Sequence, residues 1–330
     1  VTARQTDLAG NISPNATAIS LTIDETTETP TFTSPVTNSA DDQSLSIDFT
    51  LPENATSGTV KMTFTYSSGT TDSNSPHIII FNSNFETSGQ HVTDLNGEDL
   101  SDNVNVTSVN SNPNDALIDG TTYSVKIEYQ DELGNTASSV THANFTYETA
   151  SPTATIGPVT PDPRNSAVEN VSITFSKLVH ITEVDISDFS LTNGGIVDIT
   201  DLSVSNTPDI NQPEYSKDFS INLSTKTANS GIYTFKLTAA GSGIYSRTGT
   251  TLATDASDSW EVDLTAPTVL ISSSETSPTN TSPIPITIEF SEPVSGFEIS
   301  DITTGNAIAS NFNTVNDSTF TVDLTPSSNG

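Results

Sequence analysis

Five acidic residues sit at recurrent places in this chain. Asp24, Glu148 and Asp263 each close a run of alternating apolar and polar residues, and Asp7 and Asp131 open nearby turns. Calcium takes six to eight oxygens, drawn from carboxylates, Asn side chains and backbone carbonyls in loops. It is therefore the one cofactor expected, bound at the joints between segments through Asp7, Asp24, Asp131, Glu148 and Asp263. A cation there would fix the angle between neighbours and offset local repulsion. Glu148 departs from the Asp of the other two joints, and Thr26 and Glu28 also vary the first. The competing reading is that all five are solvated strand-end charges.

No other residue set supports chemistry. His77, His91, His142 and His180 are scattered, without the spacing of a zinc helix. Serine is plentiful, yet no Gly-x-Ser-x-Gly elbow occurs. Carboxylate pairs are too common in so acidic a chain to mark a glycosidase. The run from Asp94 to Asp99 lacks the spacing of a calcium loop and reads as a polar turn. Trp260 lies on a predicted strand, where a core role outweighs sugar stacking. Asn15, Asn54 and Asn170 head chance sequons in a chain rich in Thr and Asn. The chain is expected not to be an enzyme.

The elements that position the acids are strands. Trp260, Val262 and Leu264 alternate with Glu261 and Asp263, as in a half-buried strand. Pro267 then breaks the ladder, because proline has no N–H to donate, and Val269 and Ile271 begin a new alternation. The same strand, Pro joint and strand recur around Pro152 and Pro30. Leu45-Ile47-Phe49, Val60-Met62-Phe64-Tyr66 and Tyr123-Val125-Ile127-Tyr129 are further period-2 strands. Ile78 to Phe81 is a continuous apolar run, expected as a central strand buried on both faces. No segment shows a 3.6-residue stripe, so the pattern predicts β-sandwiches. Tyr123 follows an Asp119-Gly120 turn, which suits a tyrosine corner bonding backbone a few residues upstream.

Repeats divide the chain. Pro267, Phe290 and Val294 follow Pro152, Phe175 and Val179 by 115 residues each, and Ile299-Ser300-Asp301 repeats Ile186-Ser187-Asp188. An insertion near Asn206 to Lys217 in the earlier copy reads as a surface loop. Asp131, Gly134 and Asn135 follow Asp7, Gly10 and Asn11 by 124 residues. The expected domains are 1–24, the last two strands of a preceding unit; 25–149; 150–264; and 265–330, a copy that stops near the equivalent of Gly231. Such repeats form arrays in which each unit mainly contacts its neighbours. The ends are either cut from a longer array, or one chain's first hairpin completes the third sandwich of the next.

Composition narrows the partners. Nine basic against 41 acidic residues give a net charge of −32, which repels nucleic acid and anionic lipid. There is no cysteine, so stability rests on packing and ion binding. No basic region followed by an apolar run opens at Val1, and no stretch of about 20 apolar residues occurs. The expectation is an excerpt of something longer, without membrane insertion in this segment.

The joint from Val262 to Val269, followed by Ile288-Glu289-Phe290-Ser291-Glu292-Pro293-Val294, resembles the bacterial Ig-like repeats of very large surface adhesins. These include biofilm-associated, RTX-type and gliding-motility types. The resemblance is close over 150–330; residues 25–149 look like a more divergent Ig-like or fibronectin-like unit. It implies an all-β chain of tandem immunoglobulin-like or fibronectin-III-like sandwiches in an elongated array, calcium at some joints, and a location outside the cell at its surface. The implied task is a spacer or adhesin stalk, with neighbouring repeats as partners and any cell-surface or glycan target held by a domain outside this piece. Alternatives are an accessory segment of a secreted polysaccharide-degrading enzyme and a self-assembling filament or sheath subunit.

Overall fold

The computed structural model describes residues 1–109 and 115–328. Its regular elements are strands and four single-turn 3-10 helices of three residues each. By chain contacts it separates into two units. One holds residues 1–159, 168–226 and 233–259; the other holds 160–167, 227–232 and 260–330.

The first unit opens with residues 1–24, all exposed. A single bridge joins Thr6 to Ile12. Bonds from Ser13 N to Gln5 O (2.8 Å) and Ala16 N to Ala3 O (2.9 Å) extend it into a loose hairpin. Its apolar residues Ile19, Leu21 and Ile23 are 65%, 82% and 81% exposed, so no packing fixes them.

A sandwich follows. Its strands are β1 (Thr31–Ser34), β2 (Ala40–Asp41), β3 (Ser44–Leu51), β4 (Lys61–Gly69), β5 (His77–Phe81), β6 (Gly89–Asn96), β7 (Val106–Val109), β8 (Thr121–Tyr129) and β9 (Ser138–Tyr147). One sheet has the order β1-β3-β6, the other β2-β9-β8-β4-β5-β7. Alternation sets the core: Leu45, Ile47, Phe49 and Leu51 of β3, and Tyr123, Val125, Ile127 and Tyr129 of β8, are at most 1% exposed. The run at β5 departs from the expected strand buried on both faces. His77, Ile79 and Phe81 are buried, but Ile78 and Ile80 are only half-covered. β5 lies one strand from the sheet edge, and only one of its faces is buried against the core.

The next strands are β10 (Ala154–Ile156), β11 (Asn170–His180), β12 (Phe189–Asn193), β13 (Ile196–Val197), β14 (Val204–Pro208), β15 (Tyr215–Asn222), β16 (Gly231–Leu237) and β17 (Ala256–Val262). They form two four-stranded sheets, β10-β11-β15-β14 and β13-β12-β16-β17. The stretch from Asn206 to Lys217, expected as a loop, lengthens a hairpin instead. Asn206 pairs with Phe219 and Thr207 with Asp218, leaving residues 209–214 as the turn. β14 is an edge strand whose residues from Ser205 to Pro208 all meet solvent, which is why no apolar period announced it.

In the second unit one sheet, β18-β19-β21-β20, is built from β18 (Val269–Ser273), β19 (Ile284–Phe290), β20 (Ala307–Asn316) and β21 (Thr319–Pro326). The 115-residue repeat is kept in register: Ile156 pairs with Ile173 and Ile271 with Ile288. Burial differs sharply. Ile156 is 6% exposed and Ile271 is 64% exposed, because among the described residues no second sheet covers β18. A small core remains around Ile288, Phe320 and Val322, with Phe290, Phe297 and Phe312 beside it. The repeated Ile-Ser-Asp triplets both make 3-10 turns. Asp188 accepts from Asp185 N at 3.0 Å and Asp301 from Glu298 N at 2.9 Å. Gly330, set against Gly231 by the repeat, lies outside the described residues.

Candidate functional site

The turn between β8 and β9 builds the acidic site. Gly134 adopts φ +79°, a conformation that favours glycine, and folds Asn135 back onto Asp131. Asn135 N donates to Asp131 Oδ1 at 2.9 Å and Asn135 Nδ2 to Oδ2 at 2.6 Å. The Asp7 turn copies this: Gly10 has φ +90°, and Asn11 N and Nδ2 reach Asp7 Oδ1 and Oδ2 at 2.8 and 3.0 Å. What distinguishes Asp131 is the segment lying against it. Asp131 N donates to Thr27 Oγ1 at 3.2 Å, and Asn135 Nδ2 also reaches Asp24 O at 3.3 Å.

This brings Asp24, Glu53 and Asp131 together, with carboxylate oxygens all within 4.8 Å of one another. Asp24 is exposed, Glu53 half-buried and Asp131 2% exposed. Glu53 Oε1 is held by Glu28 N at 2.6 Å and Tyr129 Oη at 3.2 Å. Burial, then the charge of Glu53, raises the Tyr129 hydroxyl pKa, keeping it a proton donor. Burial works against the Asp131 carboxylate, but the Asn135 bonds outweigh it and hold its pKa below the ordinary value. The carboxylate is thus ready to face a cation. Among the described residues no lysine or arginine pairs with any of the three. Three hard oxygen donors at this spacing suit a calcium ion better than a transition metal.

The other expected ligands are placed apart. Asp7 is exposed, and its carboxylate is engaged by its own turn. Glu148 Oε1 accepts from Arg247 Nη2 at 2.7 Å, so a guanidinium stands against it. Asp263 Oδ1 caps Thr265 N at 2.9 Å, and its own N–H bonds Arg164 O at 2.8 Å. Glu53 was not among the expected ligands. It lies 29 residues from Asp24, and its only sequence signal is a Pro52-Glu53-Asn54 turn closing β3.

A second polar cluster is wholly inside the first sandwich. Tyr123 Oη donates to Asp72 Oδ2 at 2.7 Å and accepts from Ile118 N at 3.0 Å, the upstream bond of a tyrosine corner. His77 Nε2 lies 2.7 Å from the same Asp72 oxygen. Burial disfavours the Asp72 charge, but these bonds prevail and lower its pKa. The remaining histidines have separate local partners, Thr87, Pro35 and Thr182. Trp260 is 1% exposed, a core side chain. Among the described residues no helix is long and apolar enough to cross a membrane.

Residues 263–330 match the family model of a bacterial Ig-like domain. No curated protein matches the chain. Solved structures similar to the chain at a distance include two. The I9–I11 tandem from titin shares 8% identity over 90% of this chain and 89% of its own, with a TM-score of 0.23. Dimeric latent PorU from Porphyromonas gingivalis shares 9% over 81% of this chain and 27% of its own, at 0.21. With the all-β architecture and the family match, the fold class is that of tandem Ig-like sandwiches.

Proposed function

We propose that this chain is a non-enzymatic spacer, a stalk segment of a large repetitive bacterial adhesin displayed outside the cell. The observation that carries this is the repeat itself. The offset of 115 residues returns the same pairing, Ile156 to Ile173 and Ile271 to Ile288, as a modular array would. In this reading the modules run over 25–149, 150–264 and 265–330, with 1–24 closing an earlier one. Neighbouring modules are the partners, and a domain elsewhere in the protein holds the adhesion target. Antibodies raised against this segment label intact, unpermeabilised cells of the source organism; labelling only after permeabilisation refutes the reading.

Calcium belongs to the same proposal, at Asp24, Glu53 and Asp131, where the segment before the first module meets it. Calorimetric titration of the full chain with calcium chloride gives saturable binding that the double variant E53Q/D131N loses. Binding unchanged in that variant refutes the assignment.

A further inference from the structure

We propose that the joint between the sandwiches over 25–149 and 150–264 is locked by protein cations in place of a metal. Lys177 and Arg247 of the second hold Asp119 and Glu148 of the first. The inference rests on the modular reading above and concerns a different joint from the calcium proposal.

Asp119 stands at the turn before β8. Its Oδ1 accepts from Thr149 N at 2.6 Å and Ala150 N at 3.0 Å, pinning the linker backbone. The same oxygen receives Lys177 Nζ at 2.9 Å from β11. The Lys177 side chain is only 9% exposed. Glu148, the last residue before the linker, meets Arg247 Nη2 at 2.7 Å, with side chains 6% and 10% exposed. Gln212 Nε2 adds a bond to Asn38 O across the same joint.

Scarcity makes the placement informative. The chain has nine basic residues against 41 acidic ones. Two of the nine are sequestered at this joint, whereas Lys126, Lys226 and Lys236 form more exposed pairs within their own sandwich. Two sandwiches joined by a short linker move relative to each other unless their interface holds them. Here two separate attachments, at the start of β8 and the end of β9, remove the pivot that either alone would allow. The buried Glu148–Arg247 pair defines geometry more than it adds stability, since desolvation offsets much of its attraction. It is also screened little by salt, while the Lys177–Asp119 pair, with Asp119 36% exposed, is screened more. A site occupied by a guanidinium and an ammonium has no call for calcium.

The test uses the full chain, which has no native cysteine. Spin labels are placed at V92C and I196C, both exposed, one on β6 and one on β13. Double electron–electron resonance gives one narrow distance, the same in calcium and in excess chelator. K177Q/R247Q loses the narrow peak and shows a broad distribution. The charge-reversed pair E148R/R247E regains it, which separates a lost lock from a lost fold. A broad wild-type distribution, broadening by chelator, or a narrow peak in folded K177Q/R247Q overturns the proposal. Calorimetry of the unlabelled chain tests the modular reading independently, through separable unfolding transitions.

Discussion

Replacing Tyr123 by Phe removes one oxygen from the middle of the first sandwich. The ring stays, packed edge-on against Phe64 at 6.1 Å, so no cavity of consequence forms. What is lost is the bond to the Asp72 carboxylate and the acceptor for Ile118 N. A hydrogen bond to a charged group contributes about 1.5–3 kcal/mol, and an orphaned N–H costs about 1–3 kcal/mol. Ile118 is half-buried and regains part of its loss from water, so the total is roughly 2–4 kcal/mol. For a sandwich of this size that lowers its melting temperature by on the order of 10 °C. Tyr147 on neighbouring β9 is the control: it is 1% exposed, and its hydroxyl finds no partner among the described residues. Y147F should leave stability unchanged or slightly raised. Differential scanning calorimetry of both variants reads the comparison. Equal shifts, or a Y123F shift under about 2 °C, would refute the corner as a stabilising device.

The paired isoleucines predict a second contrast. I156A removes a buried side chain and should cost about 2–4 kcal/mol, while I271A, at an exposed position in the same register, should cost under about 0.5 kcal/mol by denaturant unfolding. Comparable costs would mean that β18 is covered. Acid stability supplies a third. Asp72 and Asp119 are held below their ordinary pKa of 3.8 by hydrogen bonds that overcome burial. Their stabilisation is therefore complete above that value and fades only as pH falls through the lower folded pKa. The first sandwich should keep its melting temperature from pH 7 to about 5 and lose it below about 4, with the acid loss reduced in D72N. A loss that begins above pH 5 and is untouched by D72N contradicts this.

The strands were legible because alternation is a local signal. β3, β8 and β11 carry period 2 plainly, and each buries the residues that period selects. β14 was not legible, since an exposed edge strand has no apolar face to display. The Tyr123 corner could be read because Asp119-Gly120 sets its turn in sequence. The acidic site could be read only in part. Asp24 and Asp131 announced themselves at an expected strand end and a turn, but Glu53 reaches Asp131 through the bridge of Ala55 with Asp131, between segments far apart in sequence. Glu148 shows the opposite failure: its partner Arg247 is 99 residues away, and nothing local marks the carboxylate as already engaged.

In the proposed modular reading each sandwich unfolds by itself. Single-molecule pulling on the two termini tests it directly. Modules of about 120 residues at ~3.5 Å per residue release about 400 Å of chain each. At least two discrete unfolding steps of that order are expected, for the modules proposed over 25–149 and 150–264. One concerted release of the whole chain, or smooth extension without steps, would contradict that reading.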